Sequence, residues 1–161
     1  MMDSGRIILI SVIVISILCL IFITPRDKIR EAHLVFLFKQ FVTWLLGIIV
    51  VEFHLIEYPV RIIQFAAKTS FEFEFIAYPT VCTIFVLRFP EHKSLWHKAG
   101  WYVLFPTWMT ILEVWMEHST DLIRYIHWTW YFTWLTLLIT FHISRVYYKW
   151  FIQGFRDRKK A

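Results

Sequence analysis

Residues 7–24 read IILISVIVISILCLIFIT, a run with no charged side chain. About 20 such residues cross a bilayer core as a helix. This stretch decides the solvent. The chain has 161 residues, of which 58% are hydrophobic and 20% aromatic, with a mean hydropathy of +0.57. A soluble domain of this size cannot bury so large an apolar excess, because much of its surface stays wet. Lipid is the solvent that fits. A cleaved signal peptide is the other reading of the run. Against it, Arg6 is offset by Asp3 before the run, no small-residue cleavage site follows, and the basic cluster Arg26, Lys28, Arg30 comes after it.

Working outward, four further apolar segments follow. The second span runs from about His33 to Ile56 and carries Lys39, which is expected to snorkel to the inner surface. Its end is expected at Glu57-Tyr58-Pro59, since proline restrains the preceding residue from helix. Residues 60–69 read as a short amphipathic connection. The third span is about 71–89. It opens Phe71-Glu72-Phe73-Glu74-Phe75, an alternation with the period of a strand. A strand with an open edge is not tolerated in lipid, so a helix is expected, kinked near its middle by Pro79. The fourth span is about 101–117. The fifth is about 122–144, with Ser119 or Thr120 as its cap. On one helix, Arg124 and Arg145 would stand about 31 Å apart, close to the thickness of a bilayer core. The expected fold is a single all-α domain over residues 1–161, a polytopic transmembrane bundle of about five helices with a basic tail at 145–161.

The basic residues give the bundle a direction. Arg26, Lys28, Arg30, Arg88, Lys93, Lys98, Arg145, Lys149, Arg156, Arg158, Lys159 and Lys160 fall on one side. Only Arg6, Arg61, Lys68 and Arg124 fall on the other. The rich side is expected in the cytoplasm, with the N-terminus outside. The net charge of +5 then points to anionic lipid at the cytoplasmic leaflet and not to nucleic acid. Cys19 and Cys82 lie in apolar runs and read as reduced core residues. So short a chain is also a candidate for self-association.

This direction gathers the acids. Glu52 and Glu57 end the second span, Glu72 and Glu74 begin the third, and Glu113 and Glu117 end the fourth, all toward the outside. His54, His118, His127, Arg61, Asp121 and Arg124 fall at the same level. Ionisable groups at membrane depth usually face a bundle interior or cavity. Glu113 and Glu117 share a helix face with Thr110 and Pro106, while Trp101, Trp108 and Trp115 mark the opposite face. On the second span Lys39, Thr43, Gly47, His54 and Glu57 form one stripe, and Glu52 points away from it. The candidate ligand or ion-binding set is therefore Glu52, Glu57, Glu113, Glu117 and His127, surrounded by Glu72, Glu74, His54, Arg61 and Arg124.

Three uses of this layer compete. The groups pair with one another, Glu57 with Arg61 or Glu113 with Arg124, and only fix the packing. Alternatively they form a site that binds or transfers a cation, a proton or a lipid-like ligand. In the third reading they are acids and bases acting on a lipid or isoprenoid substrate among the aromatics. No HExxH, Gly-rich phosphate loop or GxSxG is present, so no metal, cofactor or nucleophile is specified. A haem held by His127 and His142 is disfavoured, since on one helix they would lie about 22 Å apart. The binding reading and a ligand-free structural subunit are the two classes to separate, with enzyme activity left open.

The segments Arg30-Glu31-Ala32, Glu57-Tyr58-Pro59-Val60-Arg61, Lys68-Thr69-Ser70-Phe71-Glu72-Phe73-Glu74-Phe75 and Ser144-Arg145-Val146-Tyr147-Tyr148-Lys149-Trp150-Phe151 resemble a small family of uncharacterised multi-spanning membrane proteins from endospore-forming Firmicutes. The resemblance covers nearly the whole chain. It implies a bacterial plasma-membrane protein and carries over no activity and no catalytic residue.

Overall fold

In the computed structural model, which describes residues 4–158, five α-helices carry the chain. They are α1 (Ser4–Ile23), α2 (Ile29–Glu52), α3 (Tyr78–Leu87), α4 (Leu95–Ser119) and α5 (Trp130–Arg158). A short 3-10 turn, Arg26–Lys28, links α1 to α2. The segment with strand-like alternation is helical, as a π-helical turn at Glu72–Ala77 that runs into α3. Two segments, Ser4–Ile23 and Arg26–Glu52, are long and apolar enough to cross a membrane.

The π turn has a local cause. Pro79 has no N–H, so the carbonyl of Phe75 has no helical donor four residues on. Gln40 Nε2 on α2 supplies one at 3.0 Å. Thr43 Oγ1 donates to the next carbonyl back, Glu74 O, at 2.7 Å. The N–H of Tyr78 reaches Phe73 O in the wider i−5 pattern. Pro79 therefore does not kink the middle of a long helix. It sits in the first turn of α3, and the irregularity lies before it, where α2 holds it.

Three further expectations are corrected. Helix α2 stops at Glu52, short of Ile56, and His54 turns the chain with a φ of 53°. Residues 60–69 are the expected connection, in turns and bends, but the fourth helix starts at Leu95, ahead of the expected Trp101. The last helix starts at Trp130, not Leu122. Thr120 ends α4, its hydroxyl donating to Met116 O at 2.6 Å, and no helix begins there. Arg124 and His127 are therefore loop residues, and both single-helix separations fail. At the other end α5 continues past Arg145 to Arg158, so the tail is helical as far as described; Lys159, Lys160 and Ala161, with Asp3 at the start, lie outside the described residues.

The two loops close one end of the bundle. Ile56 pairs with Tyr125 and Glu57 with Arg124 in a two-residue antiparallel ladder. The N–H groups of Ile126 and His127 both donate to Leu55 O. Ile56, Tyr58, Leu122 and Ile123 are buried with Leu9 of α1 and Phe73 of the π turn. The main core fills the other half, where Val35, Cys82, Phe85, Phe105, Leu137 and Phe141 meet. At that far end Arg88 donates to Ile23 O, and Arg145 stacks 3.6 Å over the Phe89 ring while bonding Glu91 at 2.8 Å. Tyr148 bonds Glu31, tying α5 to α2.

Candidate functional site

The buried face of α2 repeats every three or four residues as Ala32, Val35, Lys39, Thr43 and Gly47. That stripe faces the π turn, α3 and α5. Beside it lies a partly open chamber of about 270 Å³ whose wall is mostly apolar, from Leu46, Ile49, Val50, Leu55, Ile56 and Leu137, with Lys39, Thr43, Gly47, Tyr58, Glu74, Tyr78, Glu113, Trp128, Thr133, Thr136 and Thr140 also lining it. The closing loops supply Tyr58 and Trp128, so they form the roof of this chamber.

Lys39 does not snorkel. It is fully buried, its ammonium bonds Thr140 Oγ1, and it lies 4.9 Å from the centre of the Phe141 ring. The stripe on α2 points it at α5, and a long aliphatic stem cannot reach an interface from there. The Thr140 hydroxyl donates to Thr136 O at 2.7 Å, so its oxygen is free to accept from the lysine.

Glu113 is the best-partnered acid. Its Oε1 accepts from Tyr125 OH at 2.7 Å and Thr133 Oγ1 at 2.8 Å, and its Oε2 accepts from Tyr78 OH at 2.6 Å. Trp128 Nε1 donates to Thr133 Oγ1 at 2.8 Å and orients that hydroxyl. Burial, reinforced by the Glu113 carboxylate, pushes the Tyr125 phenol well up from its ordinary value. Burial and the nearby Glu74 and Glu113 do the same to Tyr58 in the loop. Both phenols therefore stay protonated and serve as donors.

Glu74 differs. It is 2% exposed; Tyr58 and Thr69 lie within hydrogen-bonding reach of its carboxylate, but its Oε2 is buried with no partner in good geometry. The π turn swings it over Gly47, where the missing side chain leaves room for the carboxylate. A buried carboxylate oxygen without a donor is costly, so the position calls for a proton or another positive group.

The other sequence candidates lie elsewhere. Glu72 is fully buried, but it accepts from Ile62 N at 2.7 Å and Ser70 Oγ at 2.8 Å and so anchors the loop. Arg61 donates to the carbonyls of Tyr58 and Lys68 at 2.6 and 3.0 Å, a second loop clamp. Glu52, His54, Glu57 and Arg124 join Arg61 and Lys68 around a separate surface recess of about 480 Å³. Glu57 stands 4.0 Å from Arg124, both half-exposed; it does not pair with Arg61. Glu113 takes hydroxyl donors and not Arg124. Glu117 pairs with its neighbour His118 at 2.8 Å, and His127 is exposed. Of the ten candidates, only Glu74 and Glu113 reach the chamber.

The sequence alone places Lys39 at the interface and gives Tyr58, Tyr78 and Tyr125 no distinguishing mark. Part of the signal existed: Lys39, Thr43 and Gly47 are spaced by four, and Thr133, Thr136, Thr140 and Ser144 repeat along α5 at three or four. Tyr58 and Tyr125 carry no such signal, because loops have no period. Among the described residues no group of three or more His, Cys, Asp or Glu is placed to hold a metal ion. No family model, curated protein or solved structure is significantly similar to this chain.

Proposed function

We propose that this chain is a multi-pass membrane protein of five spans, with the N-terminus outside, that takes up and releases a proton in its interior chamber. The membrane part rests on the outward faces. Ile15, Ile21 and Phe22 of α1, Leu37 and Phe41 of α2, Ile111 of α4, and Leu135 and Ile139 of α5 are all exposed, a density of apolar surface that water would penalise. Helices α4 and α5, of 25 and 29 residues, are long enough to cross. Their hydropathy is lowered by Thr, Tyr, Trp and Glu113, several of which face inward. Helix α3 with its π turn is shorter and lies mostly inside the bundle, where lipid thickness does not set its length. The basic end then faces the cytoplasm and its anionic lipid.

One observation carries the chemistry: the buried Glu74 carboxylate, whose Oε2 has no hydrogen-bond partner in good geometry, lines a chamber that Lys39 also lines. The cation of Lys39 weighs against a metal ion in so small a space, and too few ligands converge to replace a hydration shell. A proton needs neither. Its exchange between Glu74 and chamber water fits the hydroxyls of Thr43, Tyr58 and Tyr78 around the cavity.

The test is infrared titration in lipid nanodiscs. A buried protonated-carboxyl band that titrates in the native chain, disappears in Glu74→Gln and persists in Glu117→Gln is the expected result. An unchanged titration in Glu74→Gln would sink the proton reading and leave the scaffold reading, in which the polar groups only fix helix packing. A reporter fused after Ala161 that is active outside the cell would overturn the orientation.

A further inference from the structure

The chamber has a neighbour. Helices α1 and α4 flank α3 without closing over it, and the gap is a furrow of about 500 Å³. That volume lies within the range of small-molecule sites. It runs along α1 from Ile8 to Ile23, about 22 Å at 1.5 Å per residue. Its walls are apolar, with Trp108 and Leu112 of α4 on one side and Cys19 of α1 on the other. Among the described residues Glu113 is the one charged side chain lining it, near one end. Tyr78 and Glu113 line both the furrow and the chamber, so this hydrogen-bonded pair is the partition between them.

We propose that the furrow seats the hydrocarbon chain of a membrane amphiphile whose ammonium head reaches Glu113. A carboxylate accepts about four hydrogen bonds. Glu113 accepts three from the protein, which leaves one acceptor position, on the Oε2 that Tyr78 shares. The furrow offers no lysine or arginine to an anionic head. A long-chain amine satisfies both ends of the site: its chain fills a furrow that water would leave unsatisfied, and its ammonium completes the carboxylate. An alcohol completes it more weakly, and a carboxylic acid is repelled. The proposal rests on the membrane reading but not on proton exchange at Glu74.

Cys19 is a built-in reporter, since it lines the furrow and is partly exposed, whereas Cys82 is fully buried in the core. The native chain in phosphatidylcholine nanodiscs is treated with methyl methanethiosulfonate, which reacts with thiols and not with amines, and mapped by peptide mass spectrometry. Dodecylamine, dodecanol and dodecanoate are added separately at mildly alkaline pH. Dodecylamine is expected to protect Cys19 at about tenfold lower concentration than dodecanoate, the worth of one charge-assisted hydrogen bond, with dodecanol between them. Equal protection by all three, or none, overturns the proposal. Glu113→Gln is expected to remove most of the difference; if that variant does not fold, the head-group series on the native chain decides alone. A chain that stays soluble without detergent refutes the membrane reading instead, and an unchanged infrared titration in Glu74→Gln refutes only the proton reading.

Discussion

The carboxylate of Glu74 fills the space that any side chain on Gly47 would need: a Cβ there would overlap both of its oxygens. Two helices thus meet through a missing side chain on one and a buried acid on the other. Gly47→Ala is expected to displace Glu74 and destabilise the chain by about 1–3 kcal/mol, the usual range for overpacking. Gly100→Ala, where nothing lies within 4 Å, is expected to be neutral or stabilising by up to about 1 kcal/mol through helix propensity. Thermal melts of both in detergent check the pair. Equal shifts in the two variants would contradict the close approach.

Glu113 holds three hydroxyl donors in place. Glu113→Gln turns one acceptor into a donor that faces a hydroxyl, and the expected loss is about 2 kcal/mol. Tyr78→Phe removes a single donor and is expected to cost about 1 kcal/mol. The two changes touch the same bond, so their sum should exceed the effect of the double variant. Strict additivity would mean that the Tyr78–Glu113 bond is not formed.

Lys39 is sealed inside the bundle, so its amine should resist acylation. Treatment of the folded protein with an amine-reactive succinimidyl ester is expected to modify exposed lysines such as Lys68 and Lys93 and to spare Lys39 until the chain unfolds. Peptide mapping reads the outcome. Early labelling of Lys39 would restore the interfacial placement.

Glu91 gives a pH dependence outside the bundle. Slight burial pushes its carboxyl up, but the hydrogen bonds from Lys149 and Arg145 outweigh this and hold it below the ordinary value of 4.5. With the folded value below the unfolded one, the contribution is present above the ordinary value and is lost as pH falls through the folded one. Glu91 and Lys149 are 41% and 42% exposed and Arg145 is 14% exposed, so solvent screens the cluster in part and it should be worth about 1 kcal/mol. The difference in melting temperature between the native chain and Glu91→Gln is expected at neutral pH and should vanish in acid.

Arg61 ties together the carbonyls of Tyr58, Gln64 and Lys68. Arg61→Ala is expected to leave the helices intact by circular dichroism and to speed proteolysis between residues 60 and 70. Unchanged cleavage would show that Glu72, through Ile62 and Ser70, is enough to hold the loop.

The sequence by itself determined which segments are apolar and that most of them form helices. Hydropathy and charge are properties of short windows, and the solvent acts on them locally. It also carried the Lys39–Thr43–Gly47 stripe, because a helix puts every fourth residue on one face. The tertiary structure alone decided what that stripe meets. Glu74 enters the chamber only because Pro79 frees a carbonyl, Gln40 and Thr43 capture the widened turn, and Gly47 leaves room. Tyr58 and Tyr125 arrive on loops whose ladder is set by contacts between residues far apart in sequence. For the same reason the six acids that read as one layer separate: Glu74 and Glu113 are buried, Glu72 anchors a loop, Glu52 and Glu57 line a surface recess, and Glu117 pairs with His118. Depth along a helix can be read from sequence, but which neighbour stands opposite cannot.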